Sequence, residues 1–284
     1  MFFSGIADEA GKNIETQIAA HREMGWSHIE LRNVNDEGIA LMDDEAFSVV
    51  ADSIEAASLR VSCFASAIAN WSRPITGDPS IDYGELRRAI PRMRRLHVPF
   101  VRVMSYPNAK EDPLPEREWR RESIRRLREL ARIAENEGVT LLHENCSGWG
   151  AQSGEHHEIL LGEVGSPALK TVFDTGNPVV YGNDGWDYYV RNRASIAYVH
   201  IKDARKVDDR IVYTFAGEGE GRVHEIVTDL LRTGYDGGFS MEPHIAAVVH
   251  TGAAAPSPEK LYASYIEYGR RFADLFAEIK ASIE

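Results

Sequence analysis

The hydrophobic positions of the chain follow two alternating patterns. Short runs rich in β-branched and aromatic residues are separated by longer stretches whose apolar residues recur three and four positions apart, as on the buried face of a helix. Several of these stretches end at a glycine that would stop a helix, as at Gly25, Gly138 and Gly234. The short runs predict strands at Phe3–Ala7, His28–Arg32, Leu59–Ala65, Phe100–Met104, Thr140–Glu144, Leu169–Asp174, Ala197–Lys202 and Phe239–Glu242.

A strand followed by a helix, repeated eight times in 284 residues, predicts an α/β fold of the closed (β/α)8 type, the TIM barrel. No Pro/Ser-rich linker divides the chain, so we expect a single domain over residues 1–284. The main alternative is an open, doubly wound sheet. It is disfavoured because no glycine-rich phosphate-binding sequence follows the first strand, where only Gly11 occurs.

Ionisable side chains end four successive strands in the second half of the chain. In a barrel of this type the reactive groups lie where the strands end and the following loops begin. Side chains alternate across a strand, so each of these groups shares a face with the residue two positions before it. If that face points inward, three carboxylates and one imidazole converge at one mouth of the barrel. The four residues are Glu144, Asp174, His200 and Glu242.

Converging carboxylates repel one another, and a divalent cation would remove that repulsion. The pattern therefore predicts one metal site, with His200 as a neutral imidazole ligand. Three carboxylates and one imidazole suit Mn²⁺ first, with Mg²⁺, Co²⁺ or Zn²⁺ as alternatives. Each residue could instead have an ordinary structural role: His200 could be a hydrogen-bonded core histidine, and each carboxylate could cap the following helix. Because all four lie at the same height on consecutive strands, the metal site is favoured over these separate roles.

Composition and charge narrow the class of protein. The chain is 43% hydrophobic and 27% charged, which is typical of a globular protein with a real core. Its net charge of −12 argues against a nucleic-acid partner, and the one basic stretch, Arg117–Arg132, is interleaved with glutamates like a solvated helix face. The chain has only two cysteines, no apolar run long enough to cross a membrane and a start, MFFSGIADEA, that does not resemble a signal peptide. These features predict a cytoplasmic protein with no membrane partner.

The strand-end set E(144), FDTGN(173–177), HIKD(200–203) and EP(242–243) resembles the xylose isomerase-like TIM barrels. This family includes sugar isomerases, ketose epimerases, inosose dehydratases and an apurinic endonuclease branch. The resemblance implies one divalent metal, often manganese, at the four positions. It also implies that Glu144 and Glu242 are the catalytic acid/base pair, while Asp174 and His200 are ligands only. The endonuclease branch is a remote alternative, because it needs further histidines on the early strands, which end CFAS(63–66) and RVMSY(102–106).

Two positions next to the metal ligands are candidates for substrate binding. Ketose epimerases tend to carry a substrate-binding histidine three residues after the strand-six aspartate, and here that position is Asn177, which hydrogen-bonds but carries no charge. Lys202 shares the inward face of His200, where the resemblance implies a substrate contact. It could equally pair with a nearby acid. Arg205 follows as a second candidate cation.

Other candidates lie in the loops around the predicted mouth. Trp71 and Trp149 could be apolar walls for a sugar ring or could seal the barrel top. Arg32 could hold a substrate oxygen or pair with Glu30 on the same face. His143 points away from the lumen by alternation, which favours a packed role, although it could also assist Glu144. We interpret Cys146 as a pocket-lining residue rather than a nucleophile, and His156 and His157 as surface residues.

These residues predict a metal-dependent isomerase or epimerase that acts on a ketose or keto-sugar through an enediolate, with the two glutamates exchanging protons. A dehydratase or lyase acting on a sugar or cyclitol would share the same intermediate and is the alternative. A carbohydrate-binding barrel without turnover is more remote. The expected partner is a small sugar, without a phosphate as first choice. A homo-oligomer is a further expectation, because Tyr262, Tyr265 and Tyr268 of the last helix could cover a neighbour.

Overall fold

Strands and helices alternate along the chain in the order that the hydrophobic pattern predicts. The structure, a computed structural model, describes residues 1–246 and 256–283. Its strands are β1 (Phe2–Gly5), β2 (His28–Leu31), β3 (Asn33–Val34), β4 (Glu37–Gly38), β5 (Arg60–Phe64), β6 (Phe100–Ser105), β7 (Thr140–Gly148), β8 (Leu169–Asp174), β9 (Ile196–Ile201), β10 (Asp203–Val207), β11 (Arg210–Thr214) and β12 (Gly238–Met241). Its helices are α1 (Ile14–Glu23), α2 (Asp44–Ala56), α3 (Ser80–Leu96), α4 (Glu116–Glu137), α5 (Gly154–Val164), α6 (Asn177–Tyr181), α7 (Gly185–Asn192), α8 (Val223–Arg232) and α9 (Pro258–Ile283).

Eight parallel strands form the barrel wall. Their order in the sheet is β1-β12-β9-β8-β7-β6-β5-β2, and a single bridge between Ile6 and Glu30 joins the two ends. The ladder between β1 and β12 places Phe3 opposite Phe239, so the last strand returns beside the first. The barrel is therefore nearly closed, and the predicted (β/α)8 architecture is confirmed.

Polar caps and glycines set the helix boundaries. Asn13 accepts a hydrogen bond from the Thr16 N–H at the start of α1, and Asp43 accepts one from Ala46 N–H at the start of α2. The sequence predicted a stop at Gly138, and α4 ends there, with that glycine in the left-handed region at φ 69°.

The alternation along the strands places the predicted ligands on the inner face. Leu142, Val172 and Tyr198, two residues before Glu144, Asp174 and His200, form a small buried cluster with Cys63 inside the barrel. Next to this apolar layer the interior also contains polar groups. Ser62 hydrogen-bonds both Ser4 and the Tyr198 hydroxyl there. The strand-end groups therefore lie over a filled core, at the carboxyl mouth of the barrel.

Two antiparallel hairpins at this mouth were not predicted. One pairs β3 with β4, directly after barrel strand β2, and the other pairs β10 with β11, directly after β9. Asp203 anchors the second hairpin, since its carboxylate accepts the N–H groups of Gly217, Gly219 and Gly221. Strand β7 also continues to Gly148, beyond the predicted end at Glu144.

Helix α9 covers the side of the barrel where the first and last strands meet. Phe272 packs edge-on against Phe3, with ring centres 5.5 Å apart. Tyr265 and Tyr268 were expected to cover a neighbouring subunit. Both are buried, at 1% and 0% exposed, so these two rings pack within the protein's own core instead. Among the helices of the described part, none combines the length and apolar character needed to cross a membrane.

Candidate metal centre

The four strand-end residues converge as the sequence predicts. Glu144 lies in β7, Asp174 ends β8, His200 lies in β9 and Glu242 directly follows β12. All four are buried, none more than 3% exposed. One ligand atom from each lies within 4.8 Å of the others, which is close enough to hold a single cation.

His200 lies between two carboxylates. Its Nδ1 is 3.2 Å from Glu144 Oε1, and its Nε2 is 3.1 Å from Glu30 Oε1. The other oxygen of Glu30 accepts a hydrogen bond of 2.6 Å from Ser240. Burial would lower the pKa of His200, but Glu30 and Glu144 outweigh it and raise this pKa to about 10. Glu30 thus fixes the ring with Nδ1 next to Glu144.

The loop after β8 fixes the Asp174 carboxylate. Its Oδ1 accepts the N–H groups of Gly176, at 2.9 Å, and Asn177, at 2.6 Å, at the start of α6. Its Oδ2 is left for other partners and lies 2.9 Å from Lys202 Nζ. Burial raises the pKa of Asp174 to about 6, against the opposing effect of the Lys202 ammonium.

Each of the two glutamates has its own arginine. Arg102 Nη1 lies 3.4 Å from Glu144 Oε2, and Arg32 Nη1 donates to Glu242 Oε1 at 2.8 Å. Burial alone would raise the pKa of both carboxyl groups. The Arg102 guanidinium and His200 instead lower the pKa of Glu144 to about 2, and Lys202, with Arg32 among others, holds the pKa of Glu242 well below its usual range. Both glutamates are therefore ionised at neutral pH.

The donor set fits a divalent cation. Glu144 Oε2 and Asp174 Oδ2 are fully buried and, among the described residues, accept no counted hydrogen bond. Their ion-pair partners are Arg102 and Lys202, and a carboxylate oxygen with one such partner still has lone pairs to offer a cation. Three carboxylates and one imidazole are ligands suited to Mg²⁺ or Mn²⁺. Glu144, Asp174, His200 and Glu242 would hold the ion, and Lys202 supplies part of the compensating positive charge.

A cavity of about 40 Å³ opens onto these ligands. Three predicted substrate-binding residues, Trp71, Asn177 and Lys202, line it. Asn177 Nδ2 lies 3.5 Å from Glu144 Oε1, and Cys146 lines the same wall, as expected. Lys202 also pairs with acids: it donates to Glu242 Oε2 at 2.7 Å, so the ion-pair alternative for this residue holds as well.

Three other candidates lie elsewhere. Arg205 is exposed on the hairpin strand β10. Trp149 is buried beside α4, where its Nε1 donates to Glu116. His143 faces away from the lumen, as alternation predicted, and its Nδ1 lies 3.3 Å from His157. None of the three residues lines the cavity described above.

The region around His143 also corrects the prediction that His157 lies on the surface. His157 is fully buried between Thr171 and Tyr188 and hydrogen-bonds both. Burial lowers the pKa of His143 to about 3 and holds that of His157 well below its usual value, so both rings are neutral. The polar residues on either side of His157, His156 and Glu158, hid this buried position from the sequence pattern.

Arg32 pairs with acids other than the Glu30 that the sequence suggested. Its guanidinium lies 2.9 Å from Asp8 Oδ1 and 3.5 Å from Glu9 Oε1, in addition to its bond to Glu242. Glu9 and His244 were not predicted to belong to this region. His244, two residues after Glu242, hydrogen-bonds Glu9 through Nδ1 at 2.8 Å.

Glu9, Glu242 and His244 form a second group close enough to share a cation. The Arg32 guanidinium already lies against two of these three residues. The first group offers four donors against three, so it is the metal centre that the geometry favours. The signal for His244 in the sequence was its spacing from Glu242, in the EPH triplet.

The chain is 26% identical over 156 residues to an inosose dehydratase of Bacillus thuringiensis, an alignment that covers 49% of this chain and 52% of that protein. The chain therefore spans about half the length of the curated relatives it matches.

Solved structures resemble the chain over nearly its whole length. A D-allulose 3-epimerase from Methylomonas sp., in complex with D-allulose, has a TM-score of 0.71 at 18% identity and covers 95% of this chain and 96% of its own. A TIM barrel protein from Mycobacterium smegmatis in complex with magnesium has a TM-score of 0.71 at 16% identity, covering 98% and 97%. At these identities the similarity shows the fold. The family model for the xylose isomerase-like TIM barrel matches residues 18–278, and the chain belongs to that family.

Proposed function

We propose that the protein is a divalent-metal-dependent isomerase or epimerase that acts on a ketose or keto-sugar. The observation that carries this proposal is the pair Glu144 and Glu242, both buried, both ionised and each held by a separate arginine beside the same candidate metal centre. A site that only bound a sugar would have no need of two proton-accepting groups. The relatives include sugar epimerases and inosose dehydratases, which is consistent with this class of chemistry.

The two glutamates would exchange protons with the substrate carbon next to the carbonyl. An ionised carboxylate can remove that proton, and the electron pair left on carbon delocalises onto the carbonyl oxygen to give an enediolate. The other glutamate, which is ionised at rest, would first take up a proton from water; if it then delivers that proton to the opposite face of the same carbon, the product is an epimer. If the proton returns to the neighbouring carbon, a ketose becomes an aldose. A bound divalent cation would supply Lewis-acid stabilisation of the negative charge that builds on the substrate oxygens.

Neighbouring side chains would orient the glutamates and the substrate. Arg32 and Arg102 limit how Glu242 and Glu144 can rotate. Lys202 Nζ and Asn177 Nδ2 both face the cavity and can donate hydrogen bonds to substrate oxygens. The expected contributions are positioning and the stabilisation of developing negative charge.

A dehydratase is the second candidate, and the matched relatives favour it. The curated proteins aligned with this chain are inosose dehydratases. In a dehydratase one glutamate would remove the proton next to the carbonyl, and a protonated group would then help a β-hydroxyl to leave as water. Asn177 occupies the position where ketose epimerases tend to carry a substrate-binding histidine. Because asparagine cannot carry a charge, the dehydratase alternative stays open.

Solvent exchange separates the two candidates. The protein, stripped of metal and reloaded with Mn²⁺, Mg²⁺ or Co²⁺, would be incubated in D₂O with a panel of ketoses and inososes, and the products followed by NMR and mass spectrometry. Deuterium incorporation without a loss of 18 mass units supports isomerisation or epimerisation. Loss of water supports the dehydratase, and the absence of exchange with every substrate and metal contradicts both.

Variants connect the exchange to the two glutamates. Glu144→Gln and Glu242→Gln each keep the side-chain size but remove a proton-accepting group, so each should lower exchange by at least about 100-fold. Glu225→Gln, at an exposed position in α8, is the matched control and should exchange like the wild type. Full activity in either of the first two variants would contradict the assignment of the pair.

A further inference from the structure

A groove between helices α4 and α5 carries an excess of positive charge. Its volume is about 330 Å³, within the usual range of small-molecule sites. None of its lining residues lines the cavity over the candidate metal ligands. Four arginines and one glutamate line it, although the chain as a whole has a net charge of −12. The lining residues are Arg117, Arg120, Arg121, Ile124, Arg128 and Glu163.

The helical period places these arginines along one stripe of α4. Arg117, Arg121, Ile124 and Arg128 are separated by four, three and four residues, which is the spacing of a single helix face. The three arginines of this stripe are exposed, while Ile124 is 3% exposed and gives the groove an apolar floor. The stripe therefore presents positive charge on both sides of an apolar centre.

Glutamates of the same helix neutralise its other arginines. Glu122 pairs with both Arg125 and Arg126, and Glu129 pairs with Arg132. These pairs join residues three or four positions apart, so they form within the helix itself. The interleaved glutamates thus account for one side of the basic stretch and leave the groove side uncompensated.

Most guanidinium groups in the groove have no carboxylate partner. Arg117 and Arg121 make no side-chain hydrogen bond or ion pair with any residue among 1–246 and 256–283. Arg128 donates to the backbone carbonyl of Glu163, which is a neutral acceptor. Arg120 pairs with the Glu163 carboxylate. Like charges on one helix face destabilise it, and a bound anion would relieve that repulsion.

Two of the guanidinium groups are held in place before any ligand binds. Arg120 lies over the indole of Trp149, 5.5 Å from the ring centre. That indole is itself buried and donates through Nε1 to Glu116. Arg128 is held by its bond to the Glu163 carbonyl. A side chain that is already ordered loses less conformational entropy when it binds a ligand.

We propose that this groove binds a small molecule with two phosphate groups joined by a neutral spacer. Guanidinium groups bind phosphate in bidentate geometry, and one phosphate offers three acceptor oxygens to several arginines at once. Arg117, Arg120 and Arg121 lie within about one helical turn and would hold the first phosphate. Arg128 follows Arg121 by about 10 Å along the helix axis and would hold the second, with the spacer over Ile124.

Glucose 1,6-bisphosphate and glucose 1-phosphate are a matched pair of probes. Neither contains a carbonyl group, so neither is a substrate of the proposed reaction, and the test is independent of the proposed function. The whole chain, as purified and without added metal, would be titrated with each probe by calorimetry at low salt. The bisphosphate should bind at least about tenfold more tightly, the gain expected from one further charged contact. Equal or weaker binding of the bisphosphate overturns the proposal.

Variants locate the two phosphates. Arg121→Gln removes an exposed guanidinium and should weaken the binding of both probes about tenfold. Arg128→Gln should weaken the binding of the bisphosphate alone and bring the affinity ratio of the two probes to about one. Arg125→Gln makes the same change of charge at an exposed position of α4 outside the groove, so it should keep the wild-type affinities. Tight binding of the bisphosphate that survives both groove variants overturns the proposal.

An acidic protein segment is the competing occupant of a groove lined by arginines. A peptide of six glutamates, titrated in the same way, carries several negative charges but no phosphate. It should bind more weakly than glucose 1,6-bisphosphate, because a carboxylate offers fewer acceptor oxygens and less charge per group than a phosphate. Tighter binding of the peptide that is lost in Arg121→Gln would make the groove a protein-docking surface and would overturn the small-molecule site.

Discussion

Lys202 Nζ lies 2.9 Å from Oδ2 of Asp174, while Oδ1 accepts the backbone N–H groups of Gly176 and Asn177. The same ammonium donates to Glu242 at 2.7 Å. One buried lysine thus pairs with two of the four residues that would bind a divalent cation. The ammonium and the cation would therefore neutralise the same negative charge, and the energetics of the site depend on both.

Replacing Lys202 tests this relationship. In Lys202→Met two buried carboxylates lose their cation, and breaking a buried pair from one side costs about 3–5 kcal/mol, so the variant should unfold at a lower temperature in EDTA. Mn²⁺ would then neutralise charge that no lysine shares, so the rise in Tm on adding Mn²⁺ should be larger than in the wild type. Lys206→Met, at an exposed lysine paired with Asp209, is the control. An unchanged rise in Tm would show that the lysine and the metal are independent.

Asp174 can be changed without disturbing its loop. In Asp174→Asn the Oδ1 atom can still accept the N–H groups of Gly176 and Asn177, while the charge is lost. Changing a residue outside the ligand set often costs 10–100-fold in metal affinity, so loss of a ligand should cost at least about 100-fold. Because burial raises the pKa of Asp174 to about 6, ionising it is costly without metal. The variant should therefore be as stable as the wild type in EDTA, or more stable.

Competition between the protein and a metal-sensitive dye would measure the affinity of the Asp174→Asn variant, and thermal unfolding in EDTA would measure its stability. Retention of wild-type affinity would remove Asp174 from the ligand set. A large loss of stability in EDTA would instead show that the carboxylate is mainly a structural partner of Lys202.

The sequence predicted the strands and the convergence of the four candidate ligands because both depend on short-range regularities. Alternation within a strand put Glu144, Asp174 and His200 on the inner face, and the position of each at a strand end put it at the mouth. The contacts across the lumen could not be read in this way. His200 meets Glu30, 170 positions away, because the barrel closes with β2 and β9 facing each other, and no local period records that.

Side chains that leave the barrel were also harder to predict. The two-residue period gave the outward direction of His143 correctly, but not that its partner would be His157 on α5. Arg32 was expected beside Glu30, yet its length carries the guanidinium to Asp8 and Glu242 instead. Long, flexible side chains choose partners from several elements, so their pairings follow from the fold and not from spacing.

Glu30 was expected beside Arg32, and its contact with His200 was not predicted; the role of this contact can be measured. In Glu30→Gln the amide oxygen can still accept from His200 Nε2, but the negative charge that makes the imidazole a better donor to a metal is lost. Partners of this kind affect metal affinity by 10–100-fold, so Mn²⁺ should bind at least about tenfold more weakly. Glu37→Gln, exposed on the β3–β4 hairpin, is the matched control. Equal Mn²⁺ affinity in both variants would mean that Glu30 only fills the barrel interior.

His21 predicts how stability depends on pH, at a position remote from the four ligands. It is fully buried in α1, where its Nδ1 lies 2.8 Å from the Gln17 carbonyl and its Nε2 lies 3.3 Å from the Tyr265 hydroxyl of α9. A carbonyl can only accept, so Nδ1 carries the proton of a neutral ring. Burial lowers the pKa of His21 from 6.5 to about 4.

Between these two pH values the unfolded chain binds a proton at His21 that the folded chain does not. Above about pH 6.5 the ring is neutral in both states and does not change the free energy of unfolding. As the pH falls from about 6.5 toward 4, the free energy of unfolding decreases, by up to about 3 kcal/mol from this residue. His21→Gln removes that proton, so its free energy of unfolding, measured by urea denaturation at pH 7.5, 6, 5 and 4.5, should decline less steeply than that of the wild type. His224→Gln, at an exposed position, should follow the wild-type slope. The same slope in all three proteins would show that His21 is protonated in the folded state and that its burial does not control acid stability.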